Sequence, residues 1–239
     1  MFKKVLLFAG LVVLMSCKED KPVEVIPTTI ITLDSLNNPT LDTISVEKFM
    51  PKEAPELDSI FVKLTDYSDS FEFDLKYATP DNFLKQPVYD CGTCYLRFKT
   101  VVGLLAAQEE FMDKGYRLKI YDCYRPVDVQ RKMWEILPGT HYVANPDKGS
   151  VHNRGGAVDL TLVDSLGVEL DMGTPFDFFG IEAHHSYTQL PDEVLQNRRL
   201  LKEVMEKHNF KSIYSEWWHY NFRPTKHEPV SNFKWTCEG

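Results

Sequence analysis

Two stretches of the chain hold residues whose types and spacing suit metal chemistry. In Gly149-Ser-Val-His-Asn-Arg-Gly-Gly-Ala-Val-Asp-Leu160, His152 lies just before Gly155-Gly156 and Asp159 just after. An imidazole nitrogen and a carboxylate oxygen are both good zinc ligands. In an unbroken strand, positions seven apart point to opposite faces; the Gly pair lets the chain bend, so His152 and Asp159 can converge. In Ser215-Glu-Trp-Trp-His-Tyr220, Glu216 and His219 are flanked by large aromatics. With His219 as a third ligand, a metal would keep an open fourth position, the arrangement of catalytic zinc. Glu216 would then be close enough to take a proton from water at that position and hand it to a leaving amine. Each stretch also has a plainer reading, a surface histidine beside a glycine turn and an aromatic core strand with one charged edge.

The remaining histidines and cysteines read differently. Sequence neighbours cannot easily both ligate one ion, so His184-His185 reads as wall or supporting structure. His141, His208 and His227 have no partner motif and read as surface or cap residues. Cys91-Gly-Thr-Cys94 has the form of a redox motif or half a zinc knuckle, but no thioredoxin-like pattern surrounds it. With Cys17 set aside, Cys91, Cys94, Cys123 and Cys237 remain, and an even number in an exported chain suggests disulfides with three pairings open.

The elements that must carry these residues mix helix and strand. Phe71–Leu75 alternates like a strand. Phe98–Lys114 has Val101, Leu104, Leu105, Gln108 and Phe111 on adjoining turns, with Gly115 as a stop. Arg117–Tyr121 and the β-branched Val158–Val163 read as strands. Pro126 suits the first turn of a helix ending before Pro138-Gly139. Pro191–His208 reads as a helix burying Leu200, Leu201, Val204 and Met205, and Ser212–Phe222 as one final extended segment. The class is α+β, a small central antiparallel sheet with flanking helices.

The 239 residues are 43% hydrophobic, 13% aromatic and 26% charged, which supports a folded core and excludes a mainly disordered chain. A net charge of −8 argues against a nucleic-acid binder working through a broad basic face. Lys3 and Lys4 precede an apolar run from Val5 to Met15, the pattern of an export signal and too short for a membrane span. Leu14-Met-Ser-Cys17 resembles a bacterial lipobox, which implies cleavage after residue 16 and lipidation of Cys17. Lys18-Glu-Asp20 looks like a surface-export signal of bacterial lipoproteins. Residues 17–56, with Pro22, Pro27, Pro39, Pro51 and Pro55, read as a tether, and residues 57–239 as the folded domain. The expected location is an exported lipoprotein at the outer membrane, on its periplasmic face or at the cell surface.

Taken together, Ser150-x-His152-x-x-Gly155-x-Ala157-x-Asp159 and Glu216-x-x-His219 resemble the zinc D-alanyl-D-alanine metallopeptidases, most closely the VanX-like dipeptidase branch of peptidase family M15. Asp74-Leu-Lys-Tyr-Ala-Thr-Pro-Asp-Asn-Phe83, Tyr121-Asp-Cys-Tyr-Arg-Pro126, Gly173-Thr-Pro-Phe-Asp-Phe178 and Gln196-Asn-Arg-Arg199 are similar to further segments of that branch, in the same order. The resemblance implies the Hedgehog/DD-peptidase-like fold and one Zn2+ per chain held by His152, Asp159 and His219. It implies Glu216 as general base and acid for a zinc-activated water, and Arg125 as the oxyanion stabiliser. Tyr77 and Asp177 match positions that bind the free ammonium of D-Ala-D-Ala, and Ser150 matches one that contacts its carboxylate. A substrate held at both charged ends must be short. The expected reaction is hydrolysis of D-Ala-D-Ala to two D-alanines. The alternatives are a zinc D,D- or L,D-carboxypeptidase trimming peptidoglycan stem peptides, and a non-catalytic zinc-stabilised wall-binding module. Export favours salvage of wall-derived peptides over depletion of a cytoplasmic pool. The expected partners are such a peptide and, through Cys17, the membrane, with no nucleic acid.

Overall fold

The computed structural model describes residues 57–140 and 142–237. The signal sequence, Cys17, the tether and His141 lie outside them. Along the chain run β1 (Phe61–Lys63), β2 (Glu72–Phe73), β3 (Tyr95–Arg97), α1 (Phe98–Asp113), β4 (Arg117–Asp122), α2 (Val127–Ile136), β5 (Ala157–Val163), α3 (Asp192–Lys207), β6 (Phe210–Ile213) and β7 (Glu216–Phe222). Five strands form the central sheet in the order β2-β4-β5-β7-β6, and β1 pairs with β3 in a second, two-stranded sheet. The central sheet is antiparallel except at its β2 edge, where β2 runs parallel to β4. The expected α+β class with a central antiparallel sheet and flanking helices is what the chain adopts. No helix among the described residues is long and apolar enough to cross a membrane.

One face of the sheet is the apolar core. Leu118 and Ile120 of β4, Val158, Leu160 and Leu162 of β5, and Tyr220 and Phe222 of β7 pack with Val101, Leu104 and Phe111 of α1 and Leu201, Val204 and Met205 of α3. The stripe expected on α1 is buried as read, with Leu105 at its edge. On α3, Leu200 is only partly buried, and Val194 and Arg198 complete the inner face. Asp192 and Glu193 open α3 and Lys207 closes it, charges that complement the helix dipole.

Several boundaries differ from the sequence reading. Ser212–Phe222 is a hairpin, not one extended segment: β6 and β7 pair across Tyr214-Ser215. Only Glu72 and Phe73 of the Phe71–Leu75 stretch join the sheet. Pro126 caps α2 from outside its first turn. The four thiols form Cys91–Cys237 and Cys94–Cys123, two bridges as expected, with the pairing now fixed.

Strand alternation turns the other face toward the chemistry. All seven residues of β5 are buried, including the charged Asp159. Registers across the sheet align Asp122 of β4, Asp159 of β5 and His219 of β7 in one row. A register shift between Ile120 and Asp122 bends the end of β4, which re-aims the chain that follows toward Arg125.

Candidate active site

His152 sits on a single 3-10 turn, His152–Arg154, directly before β5. Gly155 ends that turn in the left-handed region at φ +70°, and a side chain on Gly156 would strike Thr225 Oγ1 at 1.8 Å. Only glycine fits both requirements, so the bend inferred from the Gly pair is enforced by the backbone and by packing. The result brings His152 back over Asp159.

Three donor atoms converge, and they are the only such group of histidine, cysteine or acidic residues among the described residues. His152 Nε2 lies 3.2 Å from His219 Nδ1 and 3.4 Å from Asp159 Oδ2, and His219 Nδ1 lies 2.9 Å from Asp159 Oδ1. The far nitrogens are engaged elsewhere. His152 Nδ1 donates to the Cys123 carbonyl at 2.7 Å, and His219 Nε2 donates to Asn221 Oδ1 at 3.0 Å. A carbonyl can only accept, so these bonds leave the near nitrogens as lone pairs aimed at each other and at a carboxylate. Two imidazoles and one carboxylate around a common point form the donor set of a divalent metal with an open position. The residues fit the metal the resemblance implies.

The electrostatics follow from burial and these neighbours. Burial works against ionised Asp159, but when the imidazoles of His152 and His219 carry a second proton, their charges and near N–H groups outweigh it and hold its carboxyl well below the usual range; in the neutral rings those nitrogens are lone pairs. Burial likewise opposes a charged His219, yet Asp159, Glu216 and Asn221 raise its pKa. Glu216 opens β7 with Oε2 3.8 Å from His219 Nδ1. Burial, reinforced by Asp159, pushes the Glu216 carboxyl up against the opposing pull of His219, His152 and Arg125. A carboxyl raised in this way is suited to give back a proton it has accepted.

Arg125 is buried on the arm between β4 and α2. One guanidinium nitrogen donates to Asp122 Oδ2 at 2.6 Å and another to Gln130 Oε1 at 3.0 Å, while Nε is buried with no hydrogen-bond partner. Its plane lies over the Tyr77 ring at 5.2 Å. Burial opposes the charge, but Asp122, Tyr89, Tyr77 and Asp159 keep the guanidinium firmly cationic. Tyr77 Oη donates to both Asp177 oxygens at 3.1 Å. Asp177 is held in the left-handed region at φ +59°, a conformation that costs energy and is maintained by its surroundings. Burial and the nearby Asp159 raise its carboxyl pKa well above normal, against the Tyr77 hydrogen bond and Arg125.

Ser150 stands at the base of the His152 turn, its N–H and hydroxyl both donating to Asn153 Oδ1 at 2.7 and 3.1 Å. His184 and His185 lie outside the metal-ligand group. His185 is held neutral by burial, with Lys202 and Arg198 adding to the effect, and its pKa falls to about 4. His208 caps α3 and pairs with Glu110 at 2.8 Å.

Sequence reading passed over Asp122, which lies inside the Tyr121–Pro126 motif. Its carboxylate accepts from Arg125 and from the Tyr89 hydroxyl at 2.8 Å, and lies 3.6 Å from His152 Nδ1. It also passed over Asn153, whose Nδ2 donates to the Arg125 carbonyl at 2.7 Å. Nothing in residue type or spacing marks either one; the signal for Asp122 was its place in a motif that already held Arg125.

Residues 58–233 match the family model described as D-ala-D-ala dipeptidase, peptidase M15. The chain is similar to the D-alanyl-D-alanine dipeptidase of Escherichia coli (strain K12), 35% identical over 70% of this chain and 86% of that protein. The D-alanyl-D-alanine dipeptidase of Enterococcus faecium is 34% identical over 72% of this chain and 94% of its own length. That of Enterococcus faecalis (strain ATCC 700802 / V583) is 32% identical over 67% and 90%. A match over nearly all the described residues, on a fold that gathers the motif residues at one point, establishes the chain as a member of the M15 D-alanyl-D-alanine dipeptidase family.

Proposed function

We propose that this site hydrolyses the dipeptide D-Ala-D-Ala to two D-alanines, with one zinc ion held by His152, Asp159 and His219. The observation that carries the proposal is the pair of imidazole lone pairs facing Asp159, with Glu216 beside them and buried Arg125 joined to the same row through Asp122. The bound ion supplies a Lewis acid that polarises the scissile carbonyl and lowers the pKa of water toward about 7. Glu216 accepts the proton of the attacking water and delivers it to the departing amine. Arg125 offers its free Nε–H to the developing oxyanion, while Asp122 and Gln130 fix the guanidinium. Donors held in place before the reaction are worth about 3–4 kcal/mol of barrier lowering each.

Asp177 and Tyr77 select the short substrate. A buried carboxyl with a raised pKa becomes a stable carboxylate when a cation enters beside it, and the free ammonium of a dipeptide is such a cation. A stem peptide would place an amide there instead. Ser150 is assigned to the substrate carboxylate end. The relatives, matched over 86%, 94% and 90% of their lengths, are named dipeptidases, which supports the dipeptide over the carboxypeptidase alternative. Export and anchoring through Cys17 belong to the same proposal and rest on the N-terminal residues alone; mass spectrometry of the membrane-extracted chain should find the acylated Cys17 as its first residue.

The deciding assay offers D-Ala-D-Ala, L-Ala-L-Ala and a D-Ala-D-Ala-terminated pentapeptide separately to the zinc-loaded enzyme. D-Alanine should be released from the D,D-dipeptide alone. Glu216→Ala should lower kcat by about 10²–10⁴-fold with metal content unchanged. Cleavage of the pentapeptide would transfer the assignment to a wall-trimming carboxypeptidase, and a Glu216→Ala variant with full activity would remove Glu216 from its role.

A further inference from the structure

After β7 the chain runs from Arg223 to Cys237 outside the central sheet. At Ser231 this strap touches both halves of the site. The Ser231 N–H donates to the Asn153 carbonyl at 2.8 Å, and the Ser231 carbonyl accepts from the Val127 N–H at 3.2 Å. Asn153 follows His152 directly, and Val127 lies two residues past Arg125. The two halves are also tied from inside, since the Arg125 N–H donates to the His152 carbonyl at 3.1 Å. Asn232 accepts from the Asp128 N–H at 3.0 Å and donates to its carboxylate at 2.8 Å, which closes the first turn of α2. Phe233 and Trp235 pack on Phe61, Tyr95 and Tyr124.

The terminal anchor of the strap is the Cys91–Cys237 bridge. Cys237 is exposed and Cys91 half-buried. Clefts of about 420 and 220 Å³ open there, the first lined by Cys91 and also by the buried Cys94, the second by Cys237. The Cys94–Cys123 bridge is enclosed, its cysteines 3% and 2% exposed. Thiol exchange requires access to a sulfur, so a dithiol opens the outer bridge long before the inner one.

We propose that the strap is a positioning device for the active site, set by the Cys91–Cys237 bridge. Closed, the bridge keeps Ser231 wedged between the His152 turn and the Arg125 arm. Opened, it frees both to shift, and turnover falls. Opening is a two-electron reduction by a dithiol. One thiolate attacks a bridge sulfur, the second dithiol sulfur resolves the mixed disulfide, and Cys91 and Cys237 leave as thiols while the dithiol becomes a cyclic disulfide. Ser231 acts through Asn153 and Val127, so it is a positioning residue. The kinetic readout rests on the dipeptidase reading; the structural readout does not.

The test uses the full chain in four forms: untreated, treated with dithiothreitol and then freed of it, Cys91→Ser/Cys237→Ser, and Ser231→Pro. The last keeps both bridges and removes the N–H that donates to Asn153. Steady-state kinetics on D-Ala-D-Ala are measured beside amide hydrogen exchange of residues 123–127, 150–154 and β5. All three altered forms should lose roughly tenfold or more in kcat, with KM within about twofold, because misplacement at the reacting centre acts on the transition state. Amides of 123–127 and 150–154 should exchange about tenfold faster while β5 keeps its protection, and reoxidation of the treated enzyme should restore both. A double Ser variant with wild-type kcat, or faster exchange confined to the strap, would reduce the bridge to a staple. If β5 also loses protection in that variant, Ser231→Pro decides, and an unchanged kcat there overturns the proposal. An untreated enzyme inert toward the dipeptide would defeat the dipeptidase reading, while hydrogen exchange would still test the strap.

Discussion

Asp122 and Asp159 are two carboxylates buried side by side in one row of the sheet. Burying a charge is costly unless it is paired. Asp122 is neutralised by Arg125 at 2.6 Å. Asp159 faces two imidazoles whose hydrogen bonds to Cys123 and Asn221 direct their protons away from it. The row therefore retains a negative centre, which is the physical reason a cation belongs there. Residue types and spacing pointed to His152, Asp159, Glu216 and His219, each stretch with a plainer reading beside it; the family resemblance joined them, and the fold brings His152, Asp159 and His219 together. Asp122, Asn153 and Asn221 carry common side chains whose roles appear only once the backbone is placed: Asp122 and Asn221 hold near neighbours in sequence, Arg125 and His219, while Asn153 reaches the Arg125 carbonyl across 28 positions. The same scale yields a prediction for Asp177. Asp177→Asn removes the carboxylate that an ammonium would meet, and losing one partner of a buried charge pair costs about 2–4 kcal/mol. kcat/KM for D-Ala-D-Ala should fall by about 30–1,000-fold, mainly through KM. The variant should also lose its preference over N-acetylated D-Ala-D-Ala, and undiminished discrimination would remove Asp177 from ammonium recognition.

At the scale of elements, the helices and β5 were legible because their periodicity spans many residues. The β6–β7 hairpin was not, since Tyr214-Ser215 lacks the Gly or Asn signal of a two-residue turn. The three-residue strands β1 and β3 are too short to show a period. α1 and α3 are joined at their C-terminal ends by Glu110, which meets Lys207 and His208, each at 2.8 Å. Hydrogen bonds from Lys207 and His208 hold its carboxyl down at about 2, from an ordinary 4.5. The unfolded chain thus takes up this proton near 4.5 and the folded chain only near 2. The stabilisation is complete above 4.5 and is lost as pH falls toward 2. Thermal melts of wild type and Glu110→Gln should differ most above pH 5, with wild type the more stable, and converge by about pH 2. A gap that stays constant across that range would mean the pair contributes nothing by charge.

At the scale of the whole molecule, the two disulfides close loops of very different length, with sequence separations of 146 and 29. Chain-entropy reasoning gives each roughly 3–5 kcal/mol of stabilisation. The cysteine count announced two bridges, but pairing depends on where the strap runs. The strap was illegible because it has no repeat and no apolar period, only individual contacts to residues far away in sequence. The site itself is assembled in the same way, from β4, β5, β7 and the turn before β5. No short segment of the chain could gather these donor atoms as the folded domain does.

The aromatic stack of Phe61 on Phe233, with centroids 5.1 Å apart, together with the Ser59–Glu228 hydrogen bond of 2.8 Å, brings the first and last parts of the described chain side by side. Neighbouring ends are what circular permutation requires. A short linker joining the two ends, with new termini opened at the exposed Leu166-Gly167 turn between β5 and its partner Glu169, would leave β4, β5, β7 and the strap uncut. Such a permutant should fold with both disulfides intact and keep kcat within about threefold of the parent, as expected when a cut falls in an exposed loop tip. Order along the chain would then matter less to this enzyme than the adjacency of the two ends of its described part.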